Sequence, residues 1–514
     1  MTSCAPPHSP WSDAIPLALP SLDRDCQADV CVIGAGISGL STAYALALEG
    51  RSVVVLDDGE IGGGMTQRTT AHLTNAVDDR YVEIERRHGE RGSRIVAESH
   101  TAAIDRIEQT TVEEEIDCDF ERVDGFLFAA PGTPHDLLER ELGAAHRAGL
   151  TQVEALELQP LGAEFLDKCL RFPRQAQFHP LRYLTGVADA VMRRGGRIFC
   201  GTHAASVEGG RSTARVVTAS GHTVASAAVV VATNTPINDV VAIHTKQAPY
   251  STYVVALRVP ATGADHALYW DTADPYHYVR LYRHGGPDEL VIVGGEDHKS
   301  GQAHDGEARL ARLEQWARSY FPLAGAVQFR WSGQVMEPAD GVAFIGRNPG
   351  DADNVYVATG DSGMGMTHGT IAGILLTDLI TGRPSRWAPL YDPSRKMVHG
   401  AVEYAKENVN VAAQYVKDYA SSGERSSTDE IAPGEGAILR RGLTKIAAFR
   451  DPDGTLHELS AACPHLGCIV SYDAIEKTWN CPCHGSRFDC HGHVIVGPAN
   501  RDLASASAST TAES

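Results

Sequence analysis

Near its N-terminus the chain alternates short apolar runs with one helical stretch. Val30-Cys-Val-Ile33 is continuously apolar, Leu40 to Glu49 is rich in Ala and Leu, and Arg51-Ser-Val-Val-Val-Leu-Asp57 is apolar again. That order predicts strand, helix, strand, with both strands buried on two faces. Val229-Val-Val-Ala232-Thr233 and Asn354-Val-Tyr-Val-Ala-Thr359 read as further buried strands, the second leading into a helix from His368 to Leu379. A different rhythm marks Tyr276-His-Tyr-Val-Arg-Leu-Tyr282 and Leu290-Val-Ile-Val-Gly294, where apolar and polar residues alternate as in an antiparallel sheet. Asp78 to about Ile116 is charged and helical in character. Neither Gly nor Pro interrupts Ala401 to Ala420, where Val402, Tyr404, Ala405, Val409, Val411, Ala412, Tyr415 and Val416 recur at helical spacing. This amphipathic helix is expected to strap two halves of the protein together.

At 514 residues the chain exceeds a single core and predicts two to four domains. The expected layout is an N-terminal extension at 1–27 and an α/β dinucleotide-binding half at 28–77, 175–241 and 336–390. Interleaved with it is an α+β substrate half at 78–174 and 242–335. A linker with the amphipathic helix (391–430), a small all-β domain (431–503) and a Ser/Ala/Thr-rich tail (504–514), expected to be disordered, complete the chain. Ser421 to Glu430 reads as polar linker.

A formal charge of −20 excludes a nucleic-acid partner, because nothing would neutralise phosphates, and it suits docking to a basic redox partner. No stretch reaches the ~18 apolar residues of a membrane span. Residues 1–27 are Pro-rich, without an apolar signal core or twin arginine. Five of eleven cysteines fall between 463 and 490; the other six are scattered, as in a reducing compartment, so a cytoplasmic location is expected.

Gly34-Ala-Gly36-Ile-Ser-Gly39 joins the first strand to its helix, and Asp57 ends the next strand eighteen residues after Gly39. Glycines let the backbone approach a pyrophosphate, the helix N-terminus attracts its charge, and the acid takes the ribose hydroxyls. A second glycine-rich junction, Gly360-Asp361-Ser-Gly363-Met364-Gly365, aims another helix N-terminus at the same ligand. With Gly62-Gly-Gly-Met-Thr-Gln-Arg68, Phe178-His-Pro-Leu181 and Glu337-Pro-Ala-Asp-Gly341-Val-Ala-Phe-Ile-Gly346, these segments resemble the D-amino-acid-oxidase-like superfamily of FAD enzymes over about residues 28–390. The resemblance implies a Rossmann-like fold, FAD rather than NAD, and oxidation of a C–N bond in an amine or amino acid. It assigns the cofactor to Gly34, Gly36, Ser38, Gly39, Asp57, Asp58, Gly64, Thr66, Arg68, Ala204, Ala232, Gly360, Asp361, Gly363, Met364 and Gly365. The candidates for catalysis are Arg280, which could clamp a substrate carboxylate bidentately, and His72, which could approach the flavin ring. A surface arginine and a packed core histidine are the competing readings. The place where some relatives attach flavin covalently falls nearer Arg68.

Toward the C-terminus, Cys463-Pro-His465-Leu-Gly-Cys468 and Cys481-Pro-Cys483-His484-Gly-Ser486 offer two arms that each mix a thiolate with an imidazole. Thiolates suit a sulfide cluster, and histidine ligands raise its potential. A zinc site is the alternative, although zinc fingers usually keep cysteines and histidines in separate pairs. The pattern resembles a Rieske [2Fe–2S] domain, which implies Cys463 and Cys481 on one iron, His465 and His484 on the other, and a Cys468–Cys483 disulfide tying the loops. In a cytosolic protein that disulfide would have to be sheltered. Respiratory Rieske proteins place a serine and a tyrosine where this chain has Ser486 and Phe488, so the lost phenol implies a lower potential.

A flavin takes two electrons and the cluster carries one, so the pair reads as a transformer feeding an external one-electron acceptor. A nicotinamide-fed reductase would need a second dinucleotide turn, which is not found. A Rieske oxygenase would need a large iron domain after the cluster, but only thirty residues follow His484. An electron-transfer or redox-sensing flavoprotein without amine turnover stays open.

Overall fold

The apolar runs pair as their composition dictates, and the computed structural model describes residues 8–14, 17–158, 167–238, 243–261, 266–283, 285, 287–397, 400–420 and 423–506. Cys26–Ile33 lies between Val53–Leu56 and Thr223–Val231, parallel to both. Arg197–Phe199 and Val355–Thr359 extend this sheet in parallel, and Phe344–Arg347 closes its edge antiparallel. Helices Ile37–Leu48 and Gly365–Thr381 pack together on one face. The Val-rich strands are covered on both sides, which is why they read as unbroken runs rather than alternating ones.

The alternating segments form a second sheet in the order Val327–Pro338, Gln247–Pro260, Asp288–Lys299, Tyr278–Arg283, Ala267–Asp271, Glu121–Phe128, Asp167–Gln177 and His72–Leu73. All its pairs are antiparallel except Ala267–Asp271 with Glu121–Phe128. The charged segment is helical from Arg80 to Glu113, broken by a non-helical Gly89.

The cluster domain is all-β, with a three-stranded and a four-stranded antiparallel sheet. Its margins are wider than composition suggests. Glu424 donates to the Ile438 carbonyl and Arg425 bridges Leu439, so part of the expected linker is already inside the domain. At the other end Ser505 bridges Leu459 and Ala506 donates to Glu458, so the first residues of the expected disordered tail are paired. The rest of the tail, 507–514, lies outside the described residues.

Helix Ala401–Ala420 corrects a second expectation. Among the described residues its contacts join the substrate half to the cluster domain rather than the dinucleotide half to the substrate half. Asn408 donates to the Thr245 carbonyl, Lys299 pairs with Glu407, Val411 packs on the cluster-domain core, and Tyr419 donates to the Gly467 carbonyl at 2.9 Å. Val409 stays exposed. The N-terminal extension also has structural work. Trp11 is fully buried, its indole donating to the Thr69 carbonyl at 2.7 Å.

Candidate active site and cluster centre

Both glycine-rich turns open on one cavity of about 980 Å³. Gly34, Gly36, Ser38, Asp57, Asp58, Gly64, Thr66, Arg68, Ala204, Ala232, Gly360, Asp361, Gly363, Met364 and Gly365 all line it. Gly39 does not; a Cβ there would lie 1.8 Å from the Gly34 carbonyl oxygen, so its role is to let the helix pack against the turn. Gly34 has φ +104°, and a Cβ would strike the Ala232 carbonyl oxygen at 2.4 Å. The bare turn and the N-termini of two helices make a cradle suited to a pyrophosphate. Asp57 accepts from the Ala35 amide at 2.6 Å and the Gly59 amide at 2.9 Å, and burial raises its carboxyl to about 6. A dinucleotide such as FAD fits this lining.

At the other end the second sheet contributes Thr252, Trp270, Tyr276, Tyr278 and Asp297. His72 reaches the same space. Its Nε2 donates to the Val279 carbonyl and its Nδ1 accepts from Thr70 Oγ1, while burial lowers its pKa to about 3, so the ring is neutral. Arg280 is a correction. It shares a sheet face with Tyr278 but sits one repeat further along, where the Thr70–Ala71 backbone covers it. Its guanidinium donates to the carbonyls of Thr70, Ala71 and Phe178 and lies 5.4 Å from the ring centres of both Trp11 and Tyr282. It does not line the cavity, so it is not placed to clamp a substrate carboxylate there.

In the cluster domain the Cys463–Cys468 and Cys481–Ser486 loops face each other, joined by a Cys468–Cys483 disulfide whose two residues are buried. The Cys463 and Cys481 sulfurs are within hydrogen-bond reach. That contact, with amides of His465 and Leu466 and the Ser486 hydroxyl, lowers the Cys463 thiol to about 7, while Cys481 is pushed up. The His465 and His484 rings stand 5.0 Å apart. Burial lowers His484 to about 3, keeping it a neutral ligand, and its buried Nδ1 has no hydrogen-bond partner. Two thiols ringed by amide donors and facing imidazoles suit a two-iron centre better than a lone cation. Phe488 is fully buried and offers no donor, as expected from its side chain.

The two centres meet through residues that sequence reasoning did not single out. Gln334 lines the cavity, and its Nε2 donates to the Gly485 carbonyl at 2.9 Å, next to His484. Arg68, expected only at the cofactor, sends its guanidinium to Glu476 of the cluster domain. Glu476 is fully buried and also accepts from the Ser332 amide at 2.7 Å and hydroxyl at 2.9 Å, with Arg487 at 3.7 Å. His244 packs edge-on against His465 and His484, with ring centres at 5.0 and 6.1 Å. Glu476 lies in a hairpin turn and Gln334 in a long strand, where neither has a local signature.

Residues 29–379 match the family described as FAD dependent oxidoreductase, and residues 424–507 match the Rieske [2Fe-2S] domain. The chain is 32% identical to the Rieske 2Fe-2S iron-sulfur protein YhfW of Bacillus subtilis (strain 168), over 97% of each chain. It is 26% identical to gamma-glutamylputrescine oxidoreductase of Escherichia coli (strain K12), over 71% of this chain and 87% of that one. Glycine oxidase from Geobacillus kaustophilus superposes with a TM-score of 0.58 at 18% identity, covering 72% of this chain and 99% of the other. Among the described residues no helix is long and apolar enough to cross a membrane. FAD and a [2Fe-2S] cluster are accordingly its cofactors. The chain therefore belongs to the FAD dependent oxidoreductase (DAO) family and carries a C-terminal Rieske [2Fe-2S] domain.

Proposed function

We propose that this enzyme oxidises a C–N bond of a small amine or amino acid and passes the electrons singly, through its Rieske cluster, to a separate acceptor. The observation that carries this reading is a side chain, Gln334, that both walls the cavity and binds the carbonyl beside His484. Such contiguity suits internal transfer between the two centres. The relatives named for gamma-glutamylputrescine and glycine oxidation support the reaction class.

When bound, FAD supplies a two-electron hydride acceptor. The residues proposed to hold it are the turn Gly34–Gly39, Asp57 and the Gly360–Gly365 junction. Cys463, His465, Cys481 and His484 are proposed to hold the cluster. Trp270, Tyr276 and Tyr278 wall the substrate end, and neutral His72 stiffens it by tying Thr70 to Val279. The cluster domain helps exclude water, since Val496, Gly497 and Asn500 also line the cavity and Asn500 binds the Ala204 carbonyl.

Anaerobic mixing with a panel of amines and amino acids tests this, read at the flavin absorbance and by the paramagnetic signal of the reduced cluster. A substrate should bleach the flavin first and reduce the cluster afterwards. If no member of the panel bleaches the flavin, turnover of amines is wrong; if the cluster stays oxidised after bleaching, internal transfer is wrong.

A further inference from the structure

Where the second sheet meets the helix starting at Gly365, the cavity wall carries four carboxyls: Asp78, Asp297, Glu337 and Asp361. They come from distant parts of the chain and lie close enough that Asp297 and Asp361 both act on Asp78. Burial raises Asp78 to about 7, Asp297 and Asp361 to about 6, and Glu337 well above the ordinary range. Their contacts are modest. Tyr276 donates to Asp78 at 2.6 Å, Ser362 to Glu337 at 2.9 Å and the Met336 amide to Asp361 at 2.9 Å. Among the described residues none of the four makes an ion pair, and the buried Asp297 Oδ1 has no hydrogen-bond partner.

Two further acceptors in the same wall are unsatisfied. His368 donates from Nδ1 to the Asp361 carbonyl at 2.8 Å, which leaves Nε2 as an acceptor; it has no partner, and the residue is only 4% exposed. Gln334 Oε1 is likewise without a partner at 3% exposure. Cations are scarce by comparison. Among the described residues no lysine lines the cavity, and Arg68 is committed to Glu476. Arg501 follows Asn500, which is anchored to Ala204 at the opposite end. Buried carboxyls without a cation are costly, and an ammonium brings positive charge and three donors but no acceptor. An α-amino acid would bring its carboxylate against these four acids; Arg309 and His277, which act on Asp297, do not line the cavity.

We infer that the substrate is an aliphatic di- or polyamine with no carboxylate on the carbon to be oxidised, its ammonium groups received by Asp78 and Asp297. This rests on the C–N oxidation reading and narrows it.

The holoenzyme is mixed anaerobically with 1,4-diaminobutane, spermidine, glycine, sarcosine and proline. The amines should bleach the flavin and the amino acids should not. Asp297→Asn, which removes charge from a carboxyl whose Oδ1 has no partner to lose, should weaken the apparent affinity for 1,4-diaminobutane at least tenfold at unchanged flavin content. Asp78→Asn should do the same, and Asp297→Asn serves alone if that variant does not fold. A second readout needs no turnover. Calorimetric titration of 1,4-diaminobutane into dithionite-reduced enzyme, in buffers of different ionisation heat, should show proton release as the raised carboxyls ionise against the bound dication. Bleaching by amino acids but not amines, or unchanged affinity in Asp297→Asn, would overturn the inference while leaving C–N oxidation standing. If neither class bleaches the flavin, the underlying reading fails and takes this one with it.

Discussion

Replacing Glu476 by glutamine removes the negative charge that Arg68 and Arg487 share across the domain boundary. Arg68 belongs to the cofactor loop and Arg487 to the cluster domain, and all three side chains are at least nine-tenths buried. Burial also lowers the Arg487 pKa, with Arg68 acting in the same direction. Breaking a buried ion pair from one side costs about 3–5 kcal/mol because the remaining charge is stranded. Glutamine can still accept from Ser332, so the lower end, about 3 kcal/mol, is the expected loss. At ~1.4 kcal/mol per tenfold, that shifts the docked-to-undocked ratio by about a hundredfold. Calorimetry should show an earlier first transition, and stopped-flow should show slower cluster reduction after flavin bleaching at unchanged cofactor content. Adding Arg68→Met should recover part of the loss, since the stranded cation is gone, and the double-mutant cycle gives the coupling. An unchanged first transition with an unchanged cluster-reduction rate in Glu476→Gln would refute the claim that this triad fixes domain docking.

Gly485→Ala should displace the cluster loop, because φ is +82° and a Cβ would lie 2.7 Å from Pro249 Cβ and 2.9 Å from Gln334 Nε2; slower cluster reduction with normal flavin content is the expected outcome. Ser486→Ala removes a hydrogen bond to the Cys463 sulfur that favours the more negative, reduced cluster. Its potential should fall by tens of millivolts, on the scale of ~59 mV per tenfold in a one-electron couple, as voltammetry would read. Asp297→Asn should change the pH dependence of stability in the flavin-free protein. A carboxyl raised to about 6 contributes stability fully present below about pH 4 and lost as pH climbs through 6. The variant should therefore lose less Tm between pH 5 and pH 8 than the parent, by an amount corresponding to about 1.4 kcal/mol, since only the step from pH 5 to about 6 falls in that range; equal losses in the two would contradict the buried-carboxyl assignment.

The cofactor turns and cluster loops were legible from residue order because their chemistry is local. A glycine turn must lie between a strand and a helix, and two short loops must each bring a thiolate and an imidazole, so spacing alone carries the signal. Alternation along Tyr278–Arg283 likewise foretold a strand. It could not tell how far along that strand the cavity ends, which is why Arg280 proved to be a structural anchor beneath Trp11 rather than a substrate clamp. The amphipathic helix was equally visible, but its partners were not, since a stripe of apolar residues does not name the surface it covers.

What the sequence determined by itself is the pair of cofactors, each signalled by short local motifs whose spacing follows from backbone and ligand chemistry. Tertiary structure decided everything that depends on distant segments converging: the acidic wall from residues 78, 297, 337 and 361, the Arg68–Glu476 knot, and Gln334 set between cavity and cluster. The physical reason is burial. A carboxylate or an amide acquires its partners, its raised pKa and its role only when folding removes water from around it, and no local pattern records which residues will meet there.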